Sequence, residues 1–313
     1  MENIKDFDAF YALKILPVLD VLKAEDKQVN KWGIGGFISF ALAVLCIIGN
    51  YTGFLETGGV MLAVFFGVCT VVSIYFYTKS DDDFNSDFKE KIIREIIQYL
   101  LPDVIYKPGN YTSSKEYKAS SLYRHYFDYY EGDDYVEGQY KGVSFHCSQL
   151  DTSFDSLGRR NRQEQVFKGL FFVAFMNSNF AAGTYVWARG REQLGATIGD
   201  ERYRLYPMPH VMHMKMNNPA FEKYFSVYGT DPSEAGSILT ERMMALMLQF
   251  KAQIKRDISF SFVAGRCYVA IPIAEDLLEP ATDIADKEEI KKYFFTILLI
   301  LSIINSLELT ELA

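Results

Sequence analysis

The longest feature of the chain is an apolar run. Between Trp32 and Thr78, 47 positions carry one charged side chain, Glu56, and the run is broken near its middle by Asn50-Tyr51-Thr52-Gly53 and by Gly58-Gly59. A bilayer core of roughly 30 Å is crossed by about 20 apolar helical residues. Two segments approach that length, one from about Trp32 to Gly49 and one from about Gly58 to Tyr77. The pattern therefore predicts a two-helix transmembrane hairpin over residues 32–78. Two uncharged helices in succession would leave a soluble protein little polar surface, and Trp32, Tyr51 and Tyr75-Phe76-Tyr77 stand where interfacial aromatics are expected. The residues ahead of the run are rich in acids and lack a short basic start, so a cleaved signal peptide is not expected.

Lysine and arginine resist translocation, so their distribution orients the hairpin. Lys14, Lys23, Lys27 and Lys31 precede it, Lys79, Lys89, Lys91 and Arg94 follow it, and the loop has none. The expectation is a protein of the cytoplasmic (inner) membrane with both termini in the cytoplasm. Residues 1–31 would form a cytoplasmic amphipathic helix and residues 79–313 a cytoplasmic domain. Phe7, Phe10, Tyr11, Ile15, Val18, Leu19 and Leu22 recur at helical spacing, bent or restarted at Pro17. That face is expected to dock on the protein itself rather than on lipid.

Beyond the hairpin, Phe88, Ile92, Ile93, Ile96, Ile97 and Leu100 mark a helix that ends before Pro102. Strand-like patterns follow at Val136–His146, Gln165–Phe175, Thr184–Arg189, Val211–Met216 and Tyr224–Val227. Asp231-Pro232-Ser233-Glu234 reads as a helix start with a capping box, and Ile238 to Phe250 supply the buried face. Ile258–Phe262 alternates with period two, and Ala264-Gly265 allows a reversal into Cys267–Ile271. The uncharged stretch Tyr293–Leu307 is short for a span and is expected as a core helix, a third membrane segment being the alternative. The fold class expected is α+β: the hairpin, then a mainly antiparallel sheet with packed helices.

Composition sharpens this picture in two places. A net charge of −8 excludes non-specific nucleic-acid binding by the whole surface, which needs a broad positive field. Four cysteines with no C-x-x-C pair exclude a disulfide-stapled scaffold and a zinc ribbon. Phosphate-loop, dinucleotide, zinc-protease and nucleophile-elbow signatures are all missing from the sequence. No cofactor and no catalytic residue is therefore assigned.

Several stretches remain as candidates for chemistry. His146-Cys147 pairs an imidazole with a thiol, but on a strand neighbouring side chains face opposite ways, so Cys147, like Cys267, is expected to be structural. Met208-Pro209-His210-Val211-Met212-His213-Met214-Lys215-Met216 would place His210, Met212, Met214 and Met216 on one strand face, a donor set that suits Cu(I), although methionine also fills cores readily. Ten of the chain's 21 tyrosines fall between Tyr99 and Tyr140. Tyr123, Tyr126, Tyr129 and Tyr130 are a possible aromatic interaction surface or a helix-to-sheet interface. Glu131, Asp133 and Asp134 read as an acidic turn, a cation site being the alternative although too few further ligands are apparent. From Gly158 to Arg204, eight basic residues face four acids. Arg159, Arg160, Arg162, Arg189, Arg191, Arg202 and Arg204 are possible contacts for a partner or for anionic lipid, unless they are ordinary solvated loop charge.

A set of short stretches recurs in a recognisable order: Phe7-Asp8-Ala9-Phe10-Tyr11, Gly132–Gly138, Phe167–Phe172, Phe221–Asp231, Ile238–Met244 and Ile258–Phe262. On these the chain resembles a bacterial family known only as a domain of unknown function. The resemblance implies a membrane hairpin with a cytoplasmic α+β domain, often encoded beside LemA-type envelope proteins, and supplies no catalytic residue. The expected role is a membrane-anchored interaction or scaffold protein whose partners are the bilayer and another membrane-associated protein. The alternatives are a tethered enzyme, such as a hydrolase, using dispersed carboxylates with His125 or His146, and an anionic-lipid-binding module.

Overall fold

The computed structural model describes residues 7–55, 58–156, 162–176, 182–192, 205–206, 210–280, 284 and 286–309. The chain divides into two compact units, Met1–Ile96 with Glu279–Phe294, and Ile97–Leu278 with Phe295–Ala313.

The first unit is helical. α1 (Phe7–Phe10) passes through a π-helical turn, Tyr11–Ile15, into the 36-residue α2 (Leu16–Tyr51). Pro17 explains the turn: proline has no N–H for a carbonyl one turn back, and a wider turn relieves the ring's clash there. α3 (Gly58–Phe88) returns and continues through a second π turn, Lys89–Ile93, into α4 (Arg94–Leu100). Phe7 and Phe10 pack on Phe294 at ring separations of 5.3 and 5.9 Å, and Asp8 pairs with Lys287 at 2.7 Å. The amphipathic start therefore docks on protein. α2 and α3 approach closely because small residues line their seam. A Cβ on Gly36 would sit 3.3 Å from Ser73, and Trp32 stacks on Phe76 at 4.7 Å.

The second unit carries a nine-stranded, wholly antiparallel sheet in the order β1-β2-β3-β4-β9-β8-β5-β7-β6. Its strands are β1 (Ile105–Lys107), β2 (Tyr129–Tyr140), β3 (Val143–Ser156), β4 (Arg162–Phe175), β5 (Thr184–Ala188), β6 (Met212–Met214), β7 (Phe225–Gly229), β8 (Ser259–Val263) and β9 (Arg266–Pro272). Two hairpins turn on residue pairs with positive φ, Lys141-Gly142 and Ala264-Gly265, which match the strands' right-handed twist. The first corrects the sequence reading of Val136–His146 as one strand. Lys141-Gly142 lacks the asparagine or aspartate that flags such turns, so the reversal is silent in the pattern. Glu131, Asp133 and Asp134 likewise form no turn; they lie within β2, where the register shifts between Asp133 and Val136.

A single helix expected after Asp231 is two, α7 (Pro232–Ile238) and α8 (Glu241–Ile254), because Thr240 caps the second by accepting from the Met243 N–H. Glu234 does not close a capping box either. Both of its carboxylate oxygens accept from the Ala182 N–H at 3.1 Å. The shorter helices are α5 (Ser114–Ala119) and α6 (Pro219–Glu222). α9 (Lys287–Ser306), which supplies residues to both units, buries Ile290, Phe294, Ile297, Ile300, Ile303 and Ile304 at helical spacing. It is a core helix.

One face of the sheet is covered by the segment from Thr112 to Tyr130. Tyr117 packs on Phe171 at 5.4 Å, and its hydroxyl shares a hydrogen bond with Thr152 Oγ1 at 3.2 Å. Trp187 Nε1 donates to the Leu122 carbonyl at 3.0 Å, and Ser261 Oγ to that of Ser120 at 2.8 Å. Leu150, Phe171, Trp187 and Tyr268 complete this core layer. Period two sends Cys147, Phe172 and Phe260 to the other face, where Phe145 stacks on Phe172 and Phe225 meets Phe221 and Phe260.

Candidate functional site

Two clefts open on the covered face of the sheet, one bounded by Tyr123 of the covering segment and one by Tyr111 and the segment's Thr112–Glu116 stretch. The first encloses about 590 Å³. Its floor is Phe167 and Trp187, both buried, with Tyr123 stacked on Phe167 at 4.6 Å. Its charged groups come from three elements. Lys168 stands on β4, beside Gly169, where a Cβ would lie 2.2 Å from the Ile271 carbonyl oxygen. That glycine lets β4 and β9 close up at the edge of the cleft. Arg191 follows β5 through a turn in which its N–H donates to the Ala188 carbonyl at 2.9 Å. Arg256 and Asp257 follow α8, whose chain is redirected by Lys255 in the left-handed conformation. The ion pairs are Lys168–Asp276 at 2.7 Å, Arg191–Asp257 at 3.6 Å and Arg256–Glu275 at 3.3 Å. The Asp276 hydrogen bond holds the Lys168 ammonium above its usual range. Burial pushes the Tyr123 phenol up, so it stays protonated as a donor.

The second cleft, about 350 Å³, is polar. Glu137 accepts from Lys107 at 2.7 Å and from the Tyr135 hydroxyl at 3.1 Å, while Glu116 accepts from Tyr268 at 2.8 Å. Burial, then the Glu137 hydrogen bond, pushes the Tyr135 phenol up to about 12. His146 lies between the rings of Tyr135 and Phe175, and burial lowers its pKa, leaving it neutral. No serine, threonine or cysteine side chain among the described residues hydrogen-bonds to it. Ser113 Oγ is engaged in capping α5, and Thr112 Oγ1 in accepting from Ser148. The set can hold a polar ligand but presents no activated nucleophile of its own among the described residues.

The residues singled out in the sequence scatter. Arg159, Arg160, Arg202 and Arg204 lie outside the described residues. Arg162 is exposed at the start of β4, and Arg189 donates to the Glu222 carbonyl. Of this group, Arg191 reaches the first cleft beside Arg256, which was not singled out, and Arg189 lines a separate small cavity with Lys215. The tyrosines divide between core and surface. Tyr123 and Tyr130 pack on the core layer, Tyr130 donating to the Thr112 carbonyl. Tyr126 is exposed and stacks on Tyr206 at 4.1 Å, and Tyr129 is exposed and donates to Asp155. His125 Nδ1 donates to the Tyr126 carbonyl at 2.7 Å. Cys147 and Cys267 are fully buried, which pushes both thiols up and leaves them unreactive. The methionine stretch is divided between core and surface. β6 is three residues long, Met214 is buried while His210 and Met212 are exposed, and Met208 lies outside the described residues.

Residues 165–309 match the model of a family described as protein of unknown function (DUF3137). The matched span runs from β4 through α9 and holds four of the stretches that carried the resemblance; those around Phe7 and Gly132 lie outside it. Among solved structures, the chain is similar to the crystal structure of the mycobacterial trehalose monomycolate transport factor A, TtfA. The identity is 9% over 69% of this chain and 94% of that one, with a TM-score of 0.35. So distant a likeness carries no functional argument. No curated protein matches the chain.

Proposed function

We propose that α2 and α3 cross the cytoplasmic membrane as a hairpin, with both termini in the cytoplasm, and that the protein is an anchored docking protein rather than a catalyst. The observation that carries the anchor is the outer surface of these helices. Phe37, Leu45 and Ile47 on α2, and Met61, Val64 and Val71 on α3, all stand exposed. Both helices are long and apolar enough to cross a membrane, and only 11% of the most apolar stretch of each is buried. Water solvates such a surface poorly and hydrocarbon solvates it well. The docking role is supported by exposed Tyr126, stacked on half-buried Tyr206, with Lys118 over the Tyr206 ring at 4.4 Å and Tyr129 also exposed. Rigid aromatics with a nearby cation are the composition of recognition surfaces. The partner is a membrane-associated protein, the LemA type being the first to test on the strength of the resemblance.

Membrane pelleting after a carbonate wash tests the anchor. A photo-crosslinking residue in place of Tyr126, read in intact cells, tests the docking role. A carbonate-soluble chain refutes the first, and the absence of any specific adduct refutes the second. A second reading, a tethered enzyme, rests on neutral His146 beside two glutamates in the polar cleft; turnover that is lost in His146→Gln would establish it over docking alone.

A further inference from the structure

The 590 Å³ cleft has features that protein docking does not use. Two guanidinium groups on separate elements, Arg191 and Arg256, line it against one carboxylate, Asp257. Lys168 also borders it, but its ammonium is held by Asp276 and Asp151 on the sheet face opposite Phe167. A guanidinium carries five N–H donors, more than the one carboxylate that Arg191 and Arg256 each meet can use. The Tyr123 hydroxyl adds a donor. It has no hydrogen-bond partner among the described residues, and it lies within electrostatic reach of the Arg191–Asp257 pair on the same rim. Ser259 Oγ accepts from the Ala188 N–H at 3.4 Å and keeps its own proton to donate. Beneath these donors the walls are apolar: Phe167, Trp187 and Ile273.

Size narrows the ligand. A cavity of several hundred Å³ suits a small organic molecule and is far larger than a bare ion requires. Guanidinium groups present planar forks that fit carboxylate and phosphate oxygens in pairs. We propose that this cleft binds a small organic anion, a phosphate monoester or carboxylate carrying an apolar body. The anionic head sits between Arg191 and Arg256, and the body lies over Phe167 and Trp187. A soluble metabolite and a phospholipid share this chemistry.

Trp187 provides a reporter, because the chain has two tryptophans and Trp32→Phe leaves only the one in the cleft. The full-length Trp32→Phe protein, held in phosphatidylcholine nanodiscs, is titrated with phenyl phosphate, hexyl phosphate and inorganic phosphate while Trp187 emission is followed. A parallel sample has phosphatidic acid in the discs. A saturable change with the two monoesters, at least tenfold tighter than with inorganic phosphate, is expected. Arg191→Gln and Arg256→Gln should each weaken it about tenfold, the loss of one charge-assisted hydrogen bond, and Tyr123→Phe should weaken it less. All three variants keep the circular dichroism of the parent. A response to phosphatidic acid alone that is lost in Arg191→Gln assigns the source to lipid. No saturable response to any of these probes, equal affinity for inorganic phosphate, or binding unchanged in the Arg191→Gln, Arg256→Gln double variant would overturn the proposal. None of these outcomes bears on whether Tyr126 docks a partner.

Discussion

Phe40 stands outward on α2, near the middle of the apolar run that begins at Trp32. Nine large apolar residues of that run, between Trp32 and Gly49, are exposed: Ile34, Phe37, Ile38, Phe40, Leu42, Val44, Leu45, Ile47 and Ile48. Each contributes about −0.3 to −0.6 kcal/mol to insertion, so together they supply roughly −3 to −5 kcal/mol. An arginine at the helix centre costs about 2.5 to 3.5 kcal/mol, and losing the phenylalanine adds a few tenths. Phe40→Arg should therefore cancel most of what inserts α2. Leu13→Arg, more exposed still but in the π turn ahead of α2, should change insertion little. The assay is the fraction of full-length protein left in the pellet after carbonate extraction. The parent and Leu13→Arg are expected in the pellet, and Phe40→Arg largely in the supernatant or degraded. If Phe40→Arg were retained as fully as the parent, hydrocarbon would not be the solvent of this surface and the anchoring argument would fail.

Two further outcomes follow from the sheet. Gly169→Ala should destabilise the second unit by about 3 kcal/mol or more, since the new methyl would meet the Ile271 carbonyl oxygen at 2.2 Å and the Ile273 nitrogen at 2.6 Å; a denaturation midpoint close to that of the parent would contradict it. His146 is held below its ordinary value of 6.5 by burial, so above pH 6.5 it is neutral in both folded and unfolded chains and costs nothing. As the pH falls below 6.5 the unfolded chain takes up the proton first, and stability declines until the lowered folded pKa is passed. His146→Gln should flatten that part of the stability profile, measured as denaturation midpoint against pH.

The two long apolar helices were legible in the sequence because 47 successive positions carry one charge. The α+β class was legible because β8, β9 and α8 carry clean periodicity. What failed was the reading of β2 and β3, the longest run of paired sheet. β2 alternates apolar positions with Glu131, Asp133 and Glu137, and its bulge at Asp134 breaks the period, so half of it resembled a turn. The cleft was less legible still. Its walls come from positions near 123, 167, 187, 256 and 273, and no local window brings a cation from one to a ring from another. The count of arginines between residues 158 and 204 touched it only at Arg191, because that count follows sequence rather than register. Lys255-Arg256 gave one signal in hindsight: two cations just past a helix end, where a left-handed residue turns the chain.

Both clefts depend on how the covering segment is tied down, and Tyr117 is its main tie. Its ring is fully buried among Phe127, Tyr130, Phe167 and Phe171, and its hydroxyl meets Thr152. Tyr117→Phe removes one hydrogen bond while Thr152 Oγ1 keeps the Phe167 carbonyl at 3.3 Å, so the cost should be about 0.5 to 1.5 kcal/mol. Tyr117→Ala empties the site and should cost about 3 to 5 kcal/mol, as large aromatic truncations do. The segment carries Tyr123 at one cleft and Glu116 at the other. Loosening it should weaken phenyl phosphate binding and also let His146 titrate closer to 6.5, because the burial that lowers it is lost. Denaturant unfolding, Trp187 emission and the His146 resonance measured on one Tyr117→Ala sample would test this. If stability fell while binding and the His146 pKa both stayed at parent values, the segment would be a lid on the core only, and the two clefts would be independent of it.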